Sequence, residues 1–297
     1  MAEKKASMIL SMVIFGSIGV FVRLIPMSSA AVACFRGICG ALFILVYMKI
    51  KGSGLRSAPL AGNMKLLVIS GAAIGFNWIL LFEAYRYTSV AVATLCYYMQ
   101  PVFVILLSPL VTGERLTVPR MVCVACSLAG MALITGIGPG SLPGAGETRG
   151  IVFGLMAAML YASVIFLNKF LRDISELQMT FFQLLYAGLA VMPYALLRGS
   201  VFTSEMSAVS WTMLAALGII HTGIAYTLYF GSMKTLDAQT TALFSYIDPV
   251  CAIFFSYFLL GEPIGGRSLI GAVLILFPTM IAEIVASKKG GKAKEQI

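Results

Sequence analysis

Residues 98–115, Tyr-Met-Gln-Pro-Val-Phe-Val-Ile-Leu-Leu-Ser-Pro-Leu-Val-Thr-Gly-Glu-Arg, return 148 positions later as residues 246–263, Tyr-Ile-Asp-Pro-Val-Cys-Ala-Ile-Phe-Phe-Ser-Tyr-Phe-Leu-Leu-Gly-Glu-Pro. Tyr98, Pro101, Val102 and Ile105 are matched by Tyr246, Pro249, Val250 and Ile253, and Gly113-Glu114 by Gly261-Glu262, within a gapless correspondence of 88–130 with 236–278. A weaker correspondence at an offset of 146 sets Arg23 opposite Lys169 and Phe35 opposite Phe181. The chain is expected to be built twice.

Composition says what is doubled. Of 297 residues, 60% are hydrophobic and 11% charged, with mean hydropathy +0.95, against about a quarter charged in soluble domains. That excludes a soluble globular protein, and equally a disordered chain, a collagen-like repeat or a disulfide scaffold. A spanning helix needs about 20 mostly apolar residues. Ten such segments are legible, near 6–24, 28–48, 63–83, 88–111, 117–137, 149–170, 175–197, 208–232, 237–260 and 265–286. The fold class is an all-α membrane protein of ten transmembrane helices in two five-helix repeats, 1–137 and 149–286. A Gly/Pro-rich linker (138–148) joins them and a basic tail (287–297) follows. Because five is odd, the second repeat enters the membrane upside down, as in many secondary transporters.

Net charge +9 is spread along the span ends rather than gathered in one stripe, so it reads as topology and not as nucleic-acid binding. With the N-terminus inside, fifteen Lys and Arg fall on the cytoplasmic side and five (Arg23, Arg86, Arg149, Arg198 and Arg267) on the other. Both termini are expected in the cytoplasm of a cell whose plasma or inner membrane holds the chain. On this count Gly113-Glu114 faces the cytoplasm and Gly261-Glu262 the exterior. Ala31-Val32-Ala33-Cys34 resembles a lipoprotein cleavage box, but it lies within the second apolar run and is read as part of that span. The six cysteines also lie in apolar spans. Cys123 and Cys126 have the C-x-x-C spacing without a second pair or a nearby His, so no metal or cofactor is assigned.

A proline inside a helix removes one backbone hydrogen bond and leaves a carbonyl that lipid cannot satisfy. Paired breaks in corresponding spans point to a binding site. Pro101 and Pro249 are such a pair, expected to meet in mid-bilayer around a polar chamber. Ionisable groups at that depth are costly and therefore functional candidates. Asp248 takes the place beside Pro249 that Gln100 holds beside Pro101, and could attract a substrate ammonium or accept the proton of a coupled exchange. Arg36 needs a carboxylate, a carbonyl or a substrate anion as partner and is given a structural or gating role, as is Glu83. His221 is a candidate proton carrier or packing residue. Asn77, Trp78, Tyr98, Tyr226, Tyr229 and Tyr246 add polar and π faces suited to an amine or an aromatic solute. Gly71 and Gly75, and Ala33 and Gly37, are expected to let helices approach closely.

Tyr-Met-Gln-Pro-Val-Phe with Thr-Gly-Glu-Arg-Leu, repeated as Ile-Asp-Pro-Val with Leu-Gly-Glu-Pro, resembles the signature of the EamA family of the drug/metabolite transporter superfamily. Phe35-Arg36 and Tyr85-Arg86-Tyr87-Thr88-Ser89-Val90-Ala91 are similar to the family pattern as well. The resemblance covers nearly the whole chain. It implies a carrier with a central cavity bounded by spans 1, 3, 4, 6, 8 and 9, working by alternating access, with amino-acid export the commonest activity. Phe15 stands where many relatives have Trp, and the resemblance gives its ring a cavity contact. The partners expected are a small solute, the bilayer and a proton as coupling ion, with the chain a monomer or weak dimer. Carriers of nucleotide-type metabolites or drugs, and an intramembrane enzyme using Asp248 or His221, are the alternatives. The enzyme lacks H-E-x-x-H and G-x-S-x-G motifs, and Ser163 or Ser245 would need a base; a channel lacks evident filter loops.

Overall fold

A computed structural model of the chain describes residues 2–52, 54, 58–113, 116–135, 144–197, 206–233, 236 and 244–294. Its elements are α1 (Ala2–Gly16), α2 (Ile18–Arg23), α3 (Ser29–Ile50), α4 (Ala58–Tyr87), α5 (Val90–Tyr97), α6 (Gln100–Val111), α7 (Val118–Thr135), α8 (Ala145–Lys169), α9 (Glu176–Leu197) and α10 (Ala208–Gly218). A π-helical turn (Ile219–Ile224), α11 (Ala225–Met233), α12 (Ile247–Leu260) and α13 (Gly266–Lys294) follow. Among the described residues there is no strand, and eight helical stretches, counting α1 with α2, α5 with α6 and α10 with α11, are long and apolar enough to cross a membrane. Two further apolar helices, Ile247–Leu260 and Gly266–Pro278, are shorter. The chain is a multi-pass membrane protein.

Serines start several helices. Ser28, Ser89 and Ser207 each accept the amide of the residue three further on, at 3.1 to 3.2 Å, satisfying one of the donors a helix start leaves over. At the other end, α6 and α12 stop on Gly113 and Gly261, both left-handed with φ 69° and 65°, a conformation that glycine adopts without the Cβ clash. The glycine of each Gly-Glu doublet thus marks a helix stop; Glu114 lies outside the described residues. The linker ends earlier than its composition suggests: α8 begins at Ala145, with Gly144 as its cap and Glu147 in the first turn, where a carboxylate complements the helix dipole. Residues 138–143 of the linker lie outside the described residues, and the basic tail is helical as far as Lys294.

Packing follows the small residues. Helix α3 lies on α9, and α4 on both α8 and α9. A Cβ on Gly75 would stand 2.6 Å from the Ala187 carbonyl, and one on Gly37 2.8 Å from the Gly188 amide, so the small positions of α3 and α4 bring backbones into contact as expected. Helix α7 crosses α13 where Gly130 and Gly271 face each other's carbonyls. Helix α1 packs on α11 and α12, while α5 and α6 pack on α8, and α5 also meets α12. The outward faces are apolar, Leu110 being 83% and Leu197 87% exposed, as suits helices bathed in lipid.

Candidate functional site

The two breaks meet, but not as mid-helix kinks. The first helix is interrupted at Tyr98-Met99 and the second at Tyr246, so Pro101 falls at the second and Pro249 at the third position of a new helix. Amides there have no intrahelical acceptor, so the missing N–H costs nothing. The carbonyl that Pro249 would have bonded, Ser245 O, receives instead the Tyr98 hydroxyl of the first break at 3.4 Å. The same hydroxyl lies 2.8 Å from Asp248 Oδ2, the shorter and better hydrogen bond. One break supplies the donor and the other the acceptor.

Around this bond stand aromatic rings from four further elements. Tyr98 lies 6.5 Å from Tyr246 and 6.3 Å from Tyr97, whose ring is 5.7 Å from Tyr161 of α8. Phe15 of α1 is 5.3 Å from Tyr226 and 6.3 Å from Tyr229, and Phe230 stacks on Tyr226 at 5.8 Å. Phe15, Tyr97, Tyr98, Tyr161, Tyr226, Tyr229 and Asp248 are all only half-buried. Gly16 fixes how closely α1 approaches: a Cβ there would stand 2.7 Å from the Asp248 carbonyl and 2.6 Å from Cys251 Cβ. Gln100, the counterpart of Asp248, keeps its Oε1 buried without a hydrogen bond among the described residues. A hollow of about 320 Å³ lies between α12 and α13, and Tyr246 alone joins its otherwise apolar wall to this cluster. It is not the polar chamber expected around both breaks; at their meeting point stands the Tyr98–Asp248 bond.

Other expected site residues serve as joints between helices. Arg36 is buried, its Nε donating to Thr222 Oγ1 at 2.8 Å and its guanidinium lying 4.3 Å over the Trp78 ring. Among the described residues it thus meets a hydroxyl and a π face, and no carboxylate forms an ion pair with it. Trp78 is committed to that contact. Asn77 is fully buried and donates to the Ala157 carbonyl at 2.5 Å, tying α4 to α8. These two sit in helix contacts, because the small residues of α8 and α9 draw α4 inward at that level.

His221 bridges spans: its Nε2 is 2.8 Å from Ser17 Oγ and its Nδ1 3.2 Å from the Ala216 carbonyl. A carbonyl only accepts, so the Ala216 contact puts a proton on Nδ1, and the single proton of the Ser17 hydroxyl has two acceptors within 2.8 Å, His221 Nε2 and the Ile14 carbonyl. Both contacts depend on the π turn, which also lets Thr222 Oγ1 reach the Leu217 carbonyl five residues back, at 2.9 Å. Glu83 is half-buried near the end of α4 and makes no ion pair among the described residues.

Sequence reasoning did not mark Tyr161 or Glu262. Tyr161 has only its aromatic character to signal it. Glu262 was visible as half of the Gly-Glu doublet, yet its Oε1 faces Arg23 Nη2 at 3.2 Å, across a separation no local pattern encodes.

The sequence matches the profile of the EamA-like transporter family over residues 6–136 and again over 148–282. It is 30% identical to "Uncharacterized transporter YxxF" of Bacillus subtilis (strain 168), spanning 96% of this chain and 90% of that protein. It is 31% identical to an "Uncharacterized transporter" of Archaeoglobus fulgidus over 94% and 95% of the two chains. A relative in Rickettsia conorii named "S-adenosylmethionine uptake transporter" is 26% identical over 70% of this chain and 67% of its own. A solved crystal structure aligns over 95% of this chain and 99% of its own with TM-score 0.64 at 19% identity, a likeness of fold.

Proposed function

The chain belongs to the EamA-like transporter family and is a membrane transporter of small solutes, and from that premise we propose a secondary-active carrier that exports an amino acid or related amine by alternating access. The observation that carries this reading is the Tyr98–Asp248 hydrogen bond. It joins the two helix breaks and puts a carboxylate among half-buried aromatic rings, an arrangement that attracts an ammonium by charge and by π faces. A substrate amine would take the place of the tyrosine proton on Asp248 and stack on Tyr98, Tyr226, Tyr229 or Phe15. A proton on the same carboxylate would compete with it, which is how two gradients become coupled.

The proposed architecture is two inverted five-span repeats, 1–137 and 149–286, with both termini in the cytoplasm of a cell or inner membrane. Helix pairing supports it. Counting spans as in the sequence, α3 with α9, α5 with α12 and α7 with α13 are spans 2 and 7, 4 and 9, and 5 and 10, each pair mapping onto itself when five is added. Span 3 on 6 (α4, α8) maps onto span 8 on 1 (α11, α1), and span 9 on 1 (α12, α1) onto span 4 on 6 (α5 and α6, α8). Two halves that can exchange arrangements give inward-open and outward-open states of similar energy, which a solute can bias.

The same carboxylate and rings suit a sulfonium, and one relative is named for S-adenosylmethionine uptake. A sulfonium carrier, with inward flux, is the second reading. A thermal-shift screen of amines, amino acids and sulfonium compounds on purified protein finds the class, since a ligand bound only by the folded state raises Tm. Counterflow in proteoliposomes then tests transport: saturable exchange of intact solute is expected. A chemically altered product would point to an enzyme, and unsaturated flux to a channel.

A further inference from the structure

Glu262 ends the second copy of the doubled segment, and the carrier reading above does not use it. The chain after α12 turns through left-handed Gly261, with the Glu262 amide bonded back to the Ser256 carbonyl at 3.2 Å, a helix stop that folds the carboxylate over the end of its own helix. There Oε2 accepts the Val90 amide at 2.8 Å, at the start of α5, and the Ser256 hydroxyl. Oε1 faces Arg23 Nη2 at 3.2 Å. Arg23, at the end of α2, also donates to the Thr88 carbonyl at 3.1 Å and to the Tyr85 carbonyl. Three separate stretches are therefore drawn together at one end of the bundle: the end of span 1, the span 3–4 connection and the span 9–10 connection.

Two features distinguish this cluster from a packing joint. It lies at the solvent edge, the Arg23 and Glu262 side chains being 34% and 13% exposed. It also ends span 1 eight residues beyond Phe15, about 12 Å along a helix, while Met8 and Met12 lie buried on the other side of Phe15 against Leu236. The elements it ties are those that carry Phe15, Tyr98 and Asp248. They cannot separate at that end while the carboxylate holds both the Val90 amide and Arg23.

We propose that Arg23 and Glu262 form the closure of the outer face, joined while the path to the outside is shut and parted when solute exchanges there. The assignment to the outer face rests on the topology proposed above. Val90 lies directly beneath the pair and is fully buried, so its accessibility reports opening. The experiment places Val90→Cys in the full chain and measures its rate of labelling in intact cells by a sulfonated, membrane-impermeant maleimide, with the parent chain as the blank for the native cysteines. Arg23→Gln or Glu262→Gln is expected to speed labelling from outside by roughly fivefold, the equivalent of one modest ion pair, while Arg23→Lys stays within about twofold. Unchanged rates in both Gln variants, or acceleration seen only from the cytoplasmic side of inverted vesicles, would overturn the proposal.

A second reading needs neither Gln variant to fold. With Arg23 and Glu262 intact, raising NaCl from about 0.05 M to about 1 M screens the pair and should speed labelling of the Val90→Cys chain; a flat response overturns the closure. Neither readout requires a transported solute, so a failure here leaves the carrier reading to stand or fall on Asp248.

Discussion

The two helix breaks share a backbone plan and differ in chemistry. Both end one helix at a Tyr and begin the next with a Pro in its first turn. At the first, Gln100 Oε1 is buried with no hydrogen bond among the described residues, and Tyr98 extends its hydroxyl across the interface. At the second, Asp248 receives that hydroxyl, Pro249 is buried, and Gly16 allows α1 to rest on the Asp248 carbonyl. The difference teaches that the duplication supplies geometry while the divergence of one position supplies charge. In the carrier proposed above, the symmetric frame is what would exchange states and the asymmetric carboxylate what the exchange would respond to.

The strongest way to break this comparison is Asp248→Asn. It keeps the shape and removes the charge, and counterflow is expected to fall roughly ten- to hundred-fold, the worth of a charge-assisted hydrogen bond, with the protein still monodisperse in detergent. Full transport with unchanged pH dependence would remove Asp248 from the mechanism. Moving the carboxylate to the other break, Gln100→Asp with Asp248→Asn, asks whether the halves are equivalent. Transport is expected to stay near the level of Asp248→Asn, because among the described residues no hydroxyl reaches Gln100 Oε1 as Tyr98 reaches Asp248; recovery to wild type would show the breaks to be interchangeable.

Gly16→Ala places a methyl group 2.6 Å from Cys251 Cβ and 2.7 Å from the Asp248 carbonyl, and overpacking of this kind costs about 1–3 kcal/mol. A Tm lowered by several degrees, with weaker solute binding, is expected by thermal shift; an unchanged Tm would show that α1 has room to move away. Tyr98→Phe removes one hydroxyl, worth about 1 kcal/mol. Solute affinity should change about fivefold or less, and its direction is informative: tighter binding means the tyrosine competes with the substrate for Asp248, weaker binding that it orients the carboxylate.

Much of this was legible. The Tyr–Pro–Val–Ile doublet located the breaks because a proline and its register survive in sequence, and Asp248 stood out because a carboxylate at that depth is conspicuous against apolar neighbours. The partners were not legible. Arg36 was expected to need an anion or carbonyl, and its contacts with Thr222 and Trp78 could not be read, since the π turn that carries Thr222 leaves no mark in hydropathy. Asn77 and Trp78 read as lining and sit in contacts between helices, because the side of α4 that carries Gly71 and Gly75 packs on Gln183, Tyr186, Ala187 and Val191 of α9, more than 100 residues away in sequence. Span limits were similarly approximate where a cap decides them, as at Ala145.

The π turn has one more effect. A π turn takes up one residue more than an α turn, so every later side chain is held back by about 100° relative to an uninterrupted α-helix, and Tyr226 and Tyr229 face Phe15 in that phase. Substitutions that returned Ile219–Ile224 to α geometry without removing a residue would turn both phenols away from Phe15 without altering either ring. The aromatic cluster therefore hangs on a helical phase as well as on residue identity, and a change far from the rings in chemistry could dismantle it where no substitution at the ring positions would reveal it.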